Sequence, residues 1–327
     1  MVYPRFLKEN DIIGITAPSA GVGGKIESFN KSINSIHNAG FKTIETEHVR
    51  INNEVSASSQ VRAKEFEELL TDKNVSMIMC ASGGDFLIDM LPYVDYNKAK
   101  ENVKWIMGYS DPTSLLYTIT TKLDIATLYG MNAGSYDQTD LHKSLQDNLE
   151  ILKGNIVKQE SFELFEKEHD ELKDCYNLTE KVIWKNLNGN FEAEGRIIGG
   201  CIDCLRDFIG TSFDNTVNFI EKYKDDGIIW YFDIFSLTTE EFYRSLFQMQ
   251  QAGWFKYIKA VIVGRVRFPN SFTQMTYEKA LLKIFKKIPI VFDAVIGHVA
   301  PKMTIINGAI ATVESRDGKG SISFDLR

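Results

Sequence analysis

Lys104–Lys122 reads KWIMGYSDPTSLLYTITTK, and the joint inside it decides the fold. Trp105, Ile106 and Met107 make the short apolar run expected of a buried parallel strand, and Asp111, Pro112 and Thr113 make a helix start, because proline is pre-set for the first helical turn. Ser110 therefore falls on a strand-to-helix turn. A hydroxyl there points out of the carboxyl edge of a sheet, beside the N–H groups and positive dipole end of a helix, which is the arrangement of a nucleophile elbow. An N-cap serine or aspartate is the plainer reading of the same residues. The run G-Y-S-D-P also lacks the second glycine of G-x-S-x-G, which argues against an α/β-hydrolase.

Outward from this joint, the N-terminal half alternates strands and helices. Asp11–Pro18 is a strand, Ile26–Ala39 a helix, Phe41–Glu45 a strand and Ser59–Leu70 a helix; the strand Val75–Cys80 then runs into Ala81-Ser82-Gly83-Gly84. That order predicts a parallel sheet with its sites at the carboxyl ends of the strands, where both the glycine turn and Ser110 fall. Paired glycines let a backbone approach a ligand closely. The GVGG run at Gly21–Gly24 lacks the last glycine of a dinucleotide fingerprint, so no nicotinamide cofactor is expected.

Past the helix Lys143–Leu152 the pattern changes. Residues 159–186 are charged and aperiodic and read as a linker between a domain over 1–158 and a domain over 187–327. The second half carries strands at 196–200, 227–235, 260–264 and 289–293, helices at 203–209 and 239–252, and a closing hairpin at 309–326. The fold class expected is α/β, with a parallel-sheet domain followed by an α/β domain built on a mixed sheet.

Composition narrows the partners. Lys plus Arg is 37 against 44 for Asp plus Glu, a net charge of -7 with no basic stripe, which argues against nucleic acid and for a small-molecule or peptide ligand. No apolar run approaches the roughly 18 residues of a membrane span and the N-terminus has no signal-peptide core, so a cytoplasmic location and no membrane partner are expected. Cys201 and Cys204 form C-x-x-C, but a structural zinc needs four ligands and no second pair or nearby histidine follows in sequence, so no metal site is expected. Of the five histidines, His298 stands apart because it follows Gly297 in the loop VIGHVAP between apolar segments.

Five separated blocks resemble the LD-carboxypeptidase family of serine peptidases, which includes muropeptide LD-carboxypeptidases and microcin C immunity peptidases. They are GITAPSAGV, ASGGDFLIDMLPYVDY, KWIMGYSDPTSLLYTI, GRIIGGCIDCLRDFIGT and DAVIGHVAPKMTIINGAIATV, in the family's order from residue 14 to 313. The resemblance implies a Rossmann-like N-terminal domain, a mixed-sheet C-terminal domain, a homodimer, and no cofactor or metal. It implies Ser110 as nucleophile, His298 as base, an oxyanion hole from the N–H groups of Gly84 and Asp111, and Gly83 against the substrate.

The chain departs from the family pattern in places. Asp233 stands where the family has a glutamate at a strand end, with Glu240 and Glu241 as alternative acids; Ser82 replaces an arginine of the muropeptide branch, and Cys201 an asparagine. Trp184 offers a flat face to an adenine ring or serves as a core tryptophan. Lys302 and Arg196 are candidates to read a substrate carboxylate. The reaction implied is hydrolysis of an L,D-linked muropeptide tetrapeptide with release of D-alanine, or cleavage of a peptidyl or aminoacyl nucleotide conjugate. A non-catalytic peptide or nucleotide binder with a degraded triad is the alternative of another class.

Overall fold

The computed structural model describes residues 1–170 and 172–327, and the chain divides into two compact units. The first comprises Met1–Val157, Glu171–Cys175 and Thr304–Asn307. Its elements are β1 (Ile12–Thr16), α1 (Ile26–Asn38), β2 (Lys42–Glu45), α2 (Ser59–Thr71), β3 (Val75–Cys80), α3 (Tyr96–Glu101), β4 (Trp105–Gly108), α4 (Thr113–Leu123), β5 (Thr127–Tyr129) and α5 (Lys143–Leu152). The strands lie in the order β2-β1-β3-β4-β5, all parallel, and the strand Ile305–Asn307 adds antiparallel to the β5 edge.

Local sequence explains these elements. In α1, Phe29, Ile33 and Ile36 are buried at helical spacing while the intervening residues are largely exposed. α2 begins at Ser58, whose hydroxyl accepts the N–H of Val61. β4 is buried throughout, as is α4 from Thr113 to Thr121, so this strand and helix form the centre of the unit. Each fully buried large apolar side chain here contributes roughly 1.5–3 kcal/mol. The chain leaves β1 toward one edge and β3 toward the other, which makes the β1/β3 neighbours the topological switch point, and the loops after β1, β3 and β4 gather at one end of the sheet.

The second unit comprises Lys158–Asp170, Tyr176–Met303 and Gly308–Arg327. It contains β6 (Gln159–Glu160), β7 (Leu164–Glu166), β8 (Leu178–Lys181), β9 (Lys185–Asn186), β10 (Phe191–Cys201), α6 (Ile202–Leu205), α7 (Thr216–Lys222), β11 (Ile228–Asp233), α8 (Thr239–Gln251), β12 (Ile258–Gly264), α9 (Tyr277–Phe285), β13 (Ile290–Ala294), β15 (Ile310–Arg316) and β16 (Lys319–Asp325); β14 is the strand Ile305–Asn307 of the first unit. The eight-stranded sheet runs β6-β16-β15-β10-β11-β12-β13-β9, with β10 to β13 parallel and the flanking pairs antiparallel. β11 lies inside it, and Trp230 stacks on Phe232 and Trp254 at 5.7 and 5.6 Å to close the core beneath.

The charged segment 159–186 is more structured than its composition suggests. β6 and β9 hold the two edges of the large sheet, and β7 pairs with β8 in a separate hairpin. Strands of two to four residues with mostly exposed or half-exposed side chains carry no apolar alternation, so periodicity does not register them.

Candidate active site

In the first unit, Ser110 adopts φ of 70°, a left-handed conformation that side-chain-bearing residues rarely hold. β4 and α4 impose it from either side. The Thr113 N–H donates to the Ser110 carbonyl at 2.9 Å, the Ser110 N–H donates to the Tyr129 hydroxyl at 3.3 Å, and the Tyr109 N–H donates to Asn132 Oδ1 at 3.1 Å. The glycine turn after β3 comes directly onto the serine. A Cβ at Gly83 would stand 3.1 Å from Ser110 Cβ and 3.2 Å from its Oγ, so a side chain there crowds the hydroxyl.

The Asp111 carboxylate, which the sequence marks only as a helix-start residue, ties three loops together. It is 4% exposed, and its Oδ2 accepts the Leu87 N–H at 2.8 Å and the Ser19 hydroxyl in a short bond. Burial pushes this carboxyl up, against the Ser19 and Leu87 hydrogen bonds that hold it down. Asp111→Ala leaves two buried donors unsatisfied and is expected to lose roughly 2–4 kcal/mol of stability in urea unfolding. Asp111→Asn keeps an acceptor oxygen and stays within about 1 kcal/mol of wild type. Since a raised folded-state value means that wild-type stability falls as pH rises through the carboxyl range, the asparagine variant gains on wild type over that window; a pH-independent difference would contradict this.

In the second unit, Asp233 ends β11 with no exposure, and one carboxylate serves His298 twice. Oδ1 accepts the backbone N–H of His298 at 3.2 Å, and Oδ2 stands 2.7 Å from His298 Nδ1. The histidine side chain is 9% exposed, and its ring lies 4.7 Å from that of Phe235, which meets Phe268 edge-on at 5.1 Å. Gly297 makes this approach possible. Its φ is 86°, and a Cβ there would fall 1.9 Å from Asp233 Oδ1. Gly297→Ala is expected to drive the loop off the carboxylate and lower kcat/KM about 100-fold or more with the fold retained; activity within threefold of wild type would refute the dependence.

The alternative acids are engaged elsewhere. Glu241 closes a capping box with Thr238 at the start of α8, and Glu240 accepts the hydroxyls of Ser271 and Thr273. His48 pairs with Glu65 at 2.6 Å, His37 meets Thr43 at 2.8 Å, His169 lies 3.2 Å from Glu166, and His142 caps α5. Trp184 is 1% exposed and packs on Gly320, the core placement. Arg196 is fixed by Asp226, the Gly308 carbonyl and the face of Tyr223, and Lys302 is 6% exposed. Gly84 takes φ of 151° beside Ser19 and Ala20.

A parallel five-strand order in one unit and a mixed eight-strand sheet in the other define a two-unit α/β protein. The LD-carboxypeptidase N-terminal domain model matches residues 13–130 and the LD-carboxypeptidase C-terminal domain model matches residues 194–313, and the chain belongs to the LD-carboxypeptidase family. It is 26% identical over 336 residues to the Bacillus subtilis (strain 168) protein named "Putative carboxypeptidase YocD", covering 99% of each chain. It is 26% identical over 334 residues to the Escherichia coli microcin C7 self-immunity protein MccF, covering 94% of this chain and 92% of that one. A solved structure of microcin C7 self immunity protein MccF in complex with aspartyl sulfamoyl adenosine superposes with a TM-score of 0.85 at 21% identity over 100% of both chains. The family places the chain among hydrolases of carboxypeptidase type.

Proposed function

We propose that the chain is a serine carboxypeptidase working by acyl transfer through Ser110, His298 and Asp233. His298 removes the proton of Ser110, the alkoxide attacks an amide carbonyl, and the N–H groups of Gly84 and Asp111 hold the oxyanion. His298 then gives the proton to the leaving amine, and water releases the acyl-enzyme. Asp233 fixes the imidazole tautomer and steadies its positive charge. The observation that carries this reading is the double hold of one buried carboxylate on His298, at its backbone N–H and at Nδ1. Gly83 lies against the reacting hydroxyl and bounds the space open to substrate.

The substrate of first choice is an L,D-linked muropeptide tetrapeptide losing D-alanine, as in peptidoglycan recycling. A second reading, cleavage of a peptidyl or aminoacyl nucleotide conjugate, is favoured by the near full-length likeness to MccF and by the aspartyl sulfamoyl adenosine in its solved structure. Both place the protein in the cytoplasm, and we propose a homodimer. Among the described residues no helix is long and apolar enough to cross a membrane.

Mass spectrometry of products from the two substrates side by side, with Ser110→Ala as control, separates these readings. Loss of D-alanine that vanishes in the variant supports the muropeptide reading. Cleavage of the aminoacyl sulfamoyl adenosine alone supports the immunity-type reading, and cleavage of neither overturns both.

A further inference from the structure

The Cys201-x-x-Cys204 motif plays no part in the reaction proposed above, and the fold supplies what its sequence surroundings lack. β10 and β11 run parallel with Cys201 directly opposite Asp233, on neighbouring strands that lie about 4.8 Å apart. The Gly297 loop brings His298 to the same carboxylate. As a result Cys201 Sγ, an Asp233 oxygen and a His298 ring nitrogen all lie within 4.8 Å of one another. Cys204 lies one turn along in α6, beside Cys201, whose thiol donates to Asp203 Oδ2 at 3.6 Å. Cys201 and Asp233 are buried, while Cys204 and His298 are partly exposed and give the site an approach.

We propose that Cys201, Cys204, Asp233 and His298 form a binding site for a thiophilic divalent cation, zinc foremost, and that its occupancy switches off the His298–Asp233 pair. The switch rests on the function proposed above; the site does not. Two sulfurs, an imidazole and a single carboxylate are the donors that zinc takes in tetrahedral geometry, and they are poor partners for magnesium or calcium, which take oxygen. Bonds of about 2.0–2.3 Å set tetrahedral donors roughly 3.3–3.8 Å apart, so shifts on the order of 1 Å bring the Cys201, Asp233 and His298 donors to that spacing, and Cys204, one turn along α6, is the fourth.

Binding forms two Zn–S bonds, one Zn–N bond and one Zn–O bond. The two thiol protons leave to solvent, and the imidazole stays neutral by giving up its Nδ1 proton to solvent and taking one at Nε2, so that Nδ1 donates its lone pair to the ion. A ring held in that way faces a dication where it had faced a carboxylate. It no longer takes up the proton of Ser110.

Cobalt(II) is the probe, added to the reduced full-length chain in the absence of chelator. One equivalent is expected to saturate the protein, with thiolate-to-cobalt charge-transfer absorption and the d–d bands of a tetrahedral ion, both displaced by zinc. Cys201→Ser and Cys204→Ser should each weaken cobalt binding at least about 100-fold, whereas Ser110→Ala binds as wild type does. If Cys201→Ser does not fold, the part-exposed Cys204 position decides alone. Absence of a thiolate band, or unchanged affinity in the cysteine variants, overturns the site. Where the band appears, zinc should inhibit turnover reversibly by EDTA in wild type and much less in Cys204→Ser; a band without inhibition overturns the switch. A band on a chain that hydrolyses neither substrate counts against the proposed reaction and leaves the site standing.

Discussion

Under the proposed reaction, Ser110→Ala is expected to lower kcat by on the order of 10⁵ to 10⁶ while substrate affinity stays within a few fold of wild type. The size of the effect follows from the proposed role, because removing a nucleophile removes the covalent route and leaves only the oxyanion donors and substrate positioning. Ser110 sits at φ of 70° between two buried elements, and alanine meets the same backbone strain as serine, so the fold and the neighbouring N–H groups should persist. Single-turnover product formation, with ligand binding measured on the same sample, separates lost chemistry from lost structure. Residual turnover within tenfold of wild type would remove Ser110 from the reaction.

The second large effect is expected at Asp233. Asp233→Asn is nearly isosteric, and its side-chain oxygen can still accept the backbone N–H of His298, so the Gly297 loop keeps its place. The amide no longer balances an imidazolium and offers the ring the wrong hydrogen-bonding partner, which should reduce kcat about 10⁴-fold. Asp233→Glu restores the charge with one more methylene in a fully buried position, and should recover part of that loss at some expense of stability. Glu240→Gln and Glu241→Gln serve as controls, since both side chains support the structure around α8, and their kcat should stay within a few fold. A loss below tenfold in Asp233→Asn would move the orienting role to another group.

Much of this was legible from residue order. The apolar run of β4 followed by Asp111-Pro112 marks the elbow, because a buried strand and a helix start leave a single turn between them for Ser110. Asp233 ends an apolar strand and His298 follows a glycine, and both signals are local. The contacts that bring them together are not. Opposition of Cys201 to Asp233 depends on which strands become neighbours in the sheet, and the Asp111 carboxylate acquires its role only when the loops after β1 and β3 arrive. Glycine at position 297 is needed because a carboxylate 64 positions earlier, Asp233, occupies the space of a side chain, which no local pattern encodes. The strands within 159–186 escaped for a different reason: short edges with little apolar content have no periodicity to display.

The strand Ile305–Asn307 has a consequence for anyone who would take the molecule apart. The chain leaves the second unit after Met303, lends four residues to the first, three of them as a strand of its sheet, and resumes the second at Gly308. A fragment ending at Val157 would therefore present β5 as a bare edge, open to pairing with other chains. A fragment beginning at Lys158 would carry an orphaned apolar strand, Ile305–Asn307, toward its C-terminal end. The two units are distinct in architecture but interlaced in the gene, so neither is a portable module, and swapping halves between relatives requires moving the tetrapeptide 304–307 together with the N-terminal portion.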